Sequence, residues 1–208
     1  DWRRSEPGSL TDFQAKIDTV SQPFVSHETG QWCVFPDLKE TTQYTGIYKA
    51  RNFEIFADIL HDHGMASRAE SFLRASGKLQ VLCYKNEMER MLRTRDYAGY
   101  QLLGMNDYSG QGTALVGPLN VFWREKGYVD AAQWTEFCAP VTVLSRLPRF
   151  TYFSGDSIPY SIEVSNFAET PVTDAVLTVR FKDADGMILA ENKVVNKTVG
   201  LGSCREMG

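Results

Sequence analysis

The sequence predicts an α/β fold followed by an antiparallel β-sandwich, and three observations carry the prediction. Up to about residue 145, segments with helical spacing alternate with short strand-like runs, the order of a parallel sheet with crossover helices. From Pro148 the texture changes to alternating apolar and polar residues broken by turn signals such as Ser154-Gly-Asp156. Hydrophobic residues make up 43% of the 208 positions, which suits a packed core rather than a disordered chain. The expected division is residues 1–147 for the α/β part and 148–208 for the sandwich. The second part falls short of the ~100 residues of a full immunoglobulin-like domain, so a partial one is expected.

The elements follow in order. Leu10, Phe13, Ile17 and Val20 share one helical face, so Ser9 to Val20 reads as a helix. Pro23 to Glu28 reads as a short strand, closed by a turn at Thr29-Gly30. A helix opens near Lys49, with Phe53, Phe56, Ile59 and Leu60 as its stripe and Gly64 as its stop. Two further helices, Ala66 to Ala75 and Lys78 to Arg95, are expected on either side of Gly77. In the later one Leu79, Leu82, Cys83, Met88 and Leu92 read as inner positions, and Arg90, Arg93 and Arg95 as a solvated face. Tyr97 to Met105 reads as a strand buried enough for a parallel sheet, leading into a polar loop from Asn106 to Pro118. Val129 to Cys138 reads as the last helix, with Trp134, Phe137 and Cys138 inward. Beyond it, Phe150–Phe153, Ser157–Val164, Ala175–Phe181 and Met187–Ala190 read as strands.

Several function classes are excluded. A net charge of −4 argues against a nucleic-acid partner, which needs a basic face. No apolar run approaches the ~20 residues of a membrane span. The four cysteines are far apart, form no Cys-x-x-Cys pair, and are expected as buried free thiols rather than metal ligands. His61-Asp62-His63 reads as a solvated helix end. No cofactor is expected, since the glycines from Gly110 to Gly117 are misplaced for a dinucleotide fingerprint. The chain opens at Asp1 and stops soon after strand-like residues, so it is expected to be a piece of a longer protein, inactive by itself.

In a parallel α/β fold the chemistry sits at the carboxyl ends of the strands. Two such ends are visible, Ser26-His-Glu-Thr-Gly-Gln-Trp32 and Asn106-Asp-Tyr-Ser-Gly-Gln-Gly112. Each offers a carboxylate, amides and an aromatic ring, the set that a sugar site needs for attack, hydroxyl binding and stacking.

These two stretches, with Gly99-Tyr-Gln-Leu-Leu-Gly-Met105 and Ser109-Gly-Gln-Gly-Thr-Ala-Leu-Val-Gly117, resemble bacterial relatives of glycoside hydrolase family 2. That family groups β-galactosidases, β-glucuronidases and β-mannosidases. The resemblance covers roughly residues 20 to 180 and implies the last two strands of a retaining (β/α)₈ barrel followed by an immunoglobulin-like β-sandwich. It implies that Glu28, in Glu28-Thr29-Gly30, is the catalytic nucleophile, and that the acid/base glutamate lies upstream. His27, Gln31, Trp32, Asn106, Asp107, Tyr108 and Gln111 would then contact a carbohydrate substrate. Asn106-Asp107-Tyr108 departs from the family's tryptophan-rich eighth strand, which leaves the sugar open. The resemblance also implies export to the periplasm or beyond, as in polysaccharide-degrading bacteria. The rival expectation is a carbohydrate-recognition module on a barrel that has lost its acid.

Overall fold

The computed structural model describes residues 8–108 and 114–207, apart from the side chain of Asn196. Helix and sheet are mixed, in the order α1 (Gln14–Ile17), β1 (Phe24–Thr29), α2 (Arg51–Asp62), α3 (Ala69–Leu92), β2 (Tyr97–Leu102) and α4 (Ala131–Thr135). Five strands follow: β3 (Val141–Arg146), β4 (Ser161–Asn166), β5 (Val172–Lys182), β6 (Ile188–Val199) and β7 (Gly202–Glu206). The chain divides into two compact units. One gathers the chain up to Phe24, Met88–Gly99 and everything from Phe137 on; the other holds Val25–Glu87 and Tyr100–Glu136.

The two expected helices around Gly77 are one. α3 runs unbroken because Gly77 is a point of close approach and not a stop: a Cβ there would meet the Tyr128 ring at 2.3 Å. Its inner face is Leu73, Gly77, Gln80, Tyr84, Met88 and Met91, spaced by three and four residues. Leu79 and Leu82 point outward, at 61% and 62% exposure. Apolar periodicity does not mark this face, because two of its inward positions are a glycine and a glutamine. Just past α3, Arg93 is not on a solvated face but buried, with Nη1 3.1 Å from Glu89 Oε2. The first helix is short, only α1, with Asp12 Oδ1 accepting from Gln14 N; Leu10 is exposed and Ser9 instead bonds the backbone of Leu147.

α2 and α4 come where periodicity places them. Phe53 and Leu60 are the buried residues of α2. Asp130 and Gln133 form a reciprocal capping box at the start of α4. In the unit that contains them, Val34, Ala50, Phe53, Leu73, Leu115 and Tyr128 form the core.

In the other unit, β3, β4 and β7 form an antiparallel sheet in the order β3-β4-β7, and β5 pairs with β6 as a long hairpin. Val164, Val199 and Met207 form a buried cluster that Val172, Ala175 and Leu177 join, so sheet and hairpin share apolar contacts. The antiparallel part begins at Val141, and Phe150–Phe153 carries no strand. Among the described residues no disulfide forms; Cys33 is exposed and the other three cysteines are half-buried, not fully buried as expected. No described helix is long and apolar enough to cross a membrane.

Candidate functional site

β1 and β2 pair with each other, and each hands the chain to a long connecting segment. The segment after β1 carries Gly30 to Ala50, and the segment after β2 leads to Asp130.

Glu28 sits near the end of β1 with φ of +52°, a left-handed conformation that a glutamate rarely adopts. Holding it there costs about 1–3 kcal/mol, which the surroundings must offset. The next left-handed residue is Gly30, at φ +81°, and a Cβ on it would lie 1.9 Å from Tyr84 Cε1. The Tyr84 hydroxyl sits between the carbonyls of Gly30 (2.6 Å) and Val116 (2.7 Å), tying both segments to α3. Two residues after Glu28 the chain therefore packs a glycine that cannot be enlarged against a fully buried tyrosine.

The carboxylate this presents is half-exposed. Gln31 Nε2 donates to Glu28 Oε2 at 3.3 Å, and His27 Nε2 lies 3.6 Å from Oε1. His27 Nδ1 is 3.2 Å from Gln101 Oε1 on β2, which orients the ring when Nδ1 carries the proton. The structure therefore brings together Glu28, His27 and Gln31, and adds Gln101. Trp32 is half-buried, its Nε1 donating to Glu87 Oε2 at 3.1 Å.

After β2 the expected residues separate. Asp107 is almost fully buried, with Lys126 Nζ 2.7 Å from each of its carboxylate oxygens and the Gly117 N–H donating to Oδ1 at 3.0 Å. It is not placed to meet sugar hydroxyls, because its lone pairs are engaged inside the protein. Asn106 Nδ2 donates to the Asp107 carbonyl at 2.9 Å, and Tyr108 is 64% exposed. Gln111 lies outside the described residues.

Around Asp107 is a buried polar framework that the sequence did not announce. Lys126 also donates to the Gly117 carbonyl at 2.7 Å. Gln80 Nε2 donates to the carbonyls of Trp32 (2.6 Å) and Val116 (3.0 Å), and its Oε1 accepts from the Tyr128 hydroxyl at 2.7 Å. Glu40, 1% exposed, accepts from the Tyr44 hydroxyl at 3.2 Å. Burial, helped by the nearby Asp107 charge, pushes the Glu40 carboxyl up to about 7 against the pull of Tyr44 and Lys126. Burial likewise pushes Asp107 up and Lys126 down, and their attraction draws both back. These residues lock the two segments together without facing solvent.

Elsewhere, His61 and His63 are exposed at the end of α2, and no cluster of three or more metal-ligating side chains occurs among the described residues. Compared with protein-family models and with curated proteins, the chain matches none.

Proposed function

We propose that this chain carries the nucleophile of a retaining glycoside hydrolase that removes terminal β-linked sugars, with Glu28 attacking the anomeric carbon. The observation that carries the reading is the exposed Glu28 carboxylate at the end of β1, held in left-handed backbone and hydrogen-bonded by Gln31. Backbone outliers of this kind cluster at functional sites. In this reading β1 and β2 are the seventh and eighth strands of a (β/α)₈ barrel, and the antiparallel strands from Val141 belong to an immunoglobulin-like sandwich.

One Glu28 oxygen forms a bond to the anomeric carbon as the bond to the leaving oxygen breaks. An upstream carboxylic acid about 5–5.5 Å away protonates that oxygen, and water then releases the sugar with the same group acting as base. Gln31 fixes the attacking carboxylate, and His27, oriented by Gln101, stands where a neighbouring sugar hydroxyl would need a partner.

In the full-length protein, Glu28→Gln is expected to reduce turnover of aryl β-glycosides by about 10⁴-fold or more, since amides do not form the glycosyl ester. Undiminished turnover would remove Glu28 from the chemistry. Sugar binding without turnover in the wild-type protein would favour the recognition-module alternative.

A further inference from the structure

The hairpin of β5 and β6 is a sheet of two strands, so among the described residues no strand pairs with the outer edge of β6. A free edge carries unpaired N–H and C=O groups and invites another strand. The β5–β6 ladder is regular where residues 190–194 oppose residues 177–181, and its register slips on either side of that window. Such slips bend a strand and confine straight pairing to the residues between them. The open stretch of β6 is therefore five residues long, with Asn192 at its centre.

That stretch is its own complement in reverse. Leu189-Ala-Glu-Asn-Lys-Val-Val195 has aliphatic residues at both ends, opposite charges one step from the centre, and an amide at the centre. When two copies run antiparallel with Asn192 facing the partner's Asn192, Glu191 stands opposite the partner's Lys193. Ala190 then meets the partner's Val194, and Leu189 the partner's Val195. Directly opposed side chains share one face of a sheet, where aliphatic pairs and pairs of opposite charge stabilise the ladder. Leu189 and Val195 are 53% and 54% exposed, so the contact would cover apolar surface now in water. Glu191 and Lys193 do share a face, since Lys193 Nζ lies 3.1 Å from Glu191 Oε1. From the neighbouring strand Arg180 Nε donates to Glu191 Oε2 at 2.6 Å. Across the two-fold axis each Glu191 thus stands between its own Arg180 and the partner's Lys193, in a row of alternating sign. Centring the pair on Glu191 or on Lys193 instead sets like charges opposite each other, which selects the register.

We infer that the free edge of β6 is a self-association surface, through which two copies of this chain join antiparallel along residues 190–194 into a continuous four-stranded sheet.

The test is sedimentation velocity on the full-length protein at low salt across about 1–100 µM, the range that reports a small interface. The wild type is expected to dimerise within that range. Glu191→Lys and Lys193→Glu each place two like-charge pairs across the axis and should weaken dimerisation by about tenfold or more. Mixed in equal amounts, the two variants should recover a dimer with one copy of each, because every opposed pair is then of opposite sign. That recovery would also show that both variants are folded. A wild type that stays monomeric overturns the inference, as does a dimer indifferent to either variant or a mixture that does not associate. Turnover plays no part in the readout, so this inference and the nucleophile assignment fail separately.

Discussion

Two charge clusters, one in each compact unit, use the same chemistry with opposite results. In one, Arg146 spreads its five N–H donors over Glu163, Asp12, the carbonyls of Leu10 and Arg93, and Cys204. Its side chain is 17% exposed, and although burial works against the charge, Glu163 and the other partners push the guanidinium pKa further up. In the other, Lys126 and Asp107 are each 2% exposed, and Glu40 lies close enough to feel both charges. Burial, with the Asp107 charge adding to it, raises the Glu40 carboxyl to about 7, while the Lys126 ammonium is bonded to Asp107. In the first cluster the cation hydrogen-bonds both carboxylates, whereas in the second Lys126 bonds Asp107, and the buried Glu40 carries a built-in pH dependence.

The largest expected effect comes from emptying the second cluster of its cation. Lys126→Met leaves Asp107 buried beside an uncompensated Glu40 and should cost about 3–5 kcal/mol in urea unfolding at pH 7. A cost below about 1 kcal/mol would mean that the pair contributes little net stabilisation.

The next effect separates the clusters by pH. The folded Glu40 pKa of about 7 lies above its ordinary 4.5, so the folded state holds a proton that the unfolded state releases. Stability from this group is therefore fully present below pH 4.5 and is lost as pH rises towards 7, by about 3 kcal/mol in all. Glu40→Gln should raise the melting temperature at pH 8 by several degrees and change it little at pH 4. Equal shifts at both pH values would break the comparison.

The smallest effect sharpens the other side. Arg146→Lys keeps the charge but loses the fork, and should cost about 2 kcal/mol. The guanidinium does not titrate between pH 5 and 9, so the difference between variant and wild type should not follow its ionisation. A difference that grows steadily with pH would contradict this.

Much of this was legible in the sequence, and the gaps have physical causes. The stripe and glycine stop of α2, the strands around Glu28 and Gln101, and the helix that carries Trp134 were readable because local pattern and fold agree there. The continuity of α3 was not, because glycine is chosen at position 77 for the Tyr128 ring rather than for a turn. Strand β3 is not legible, because its buried positions are Thr142 and Leu144 while Val141 and Val143 face outward, so no apolar alternation marks it. At the site, Glu-x-Gly pointed to Glu28, but no residue pattern announces a positive φ on a glutamate. Lys126, between glutamate and glycine, looks like surface charge; only tertiary burial makes it the partner of Asp107.

The most direct test of Glu28 as nucleophile is chemical. The full-length protein would be incubated with a panel of 2-deoxy-2-fluoro β-glycosides, digested and examined by mass spectrometry. A sugar ester on the peptide containing Glu28, absent from Glu28→Gln, is the expected result. An adduct on a different carboxylate, or turnover of the parent glycosides with no adduct from any sugar, would contradict the account.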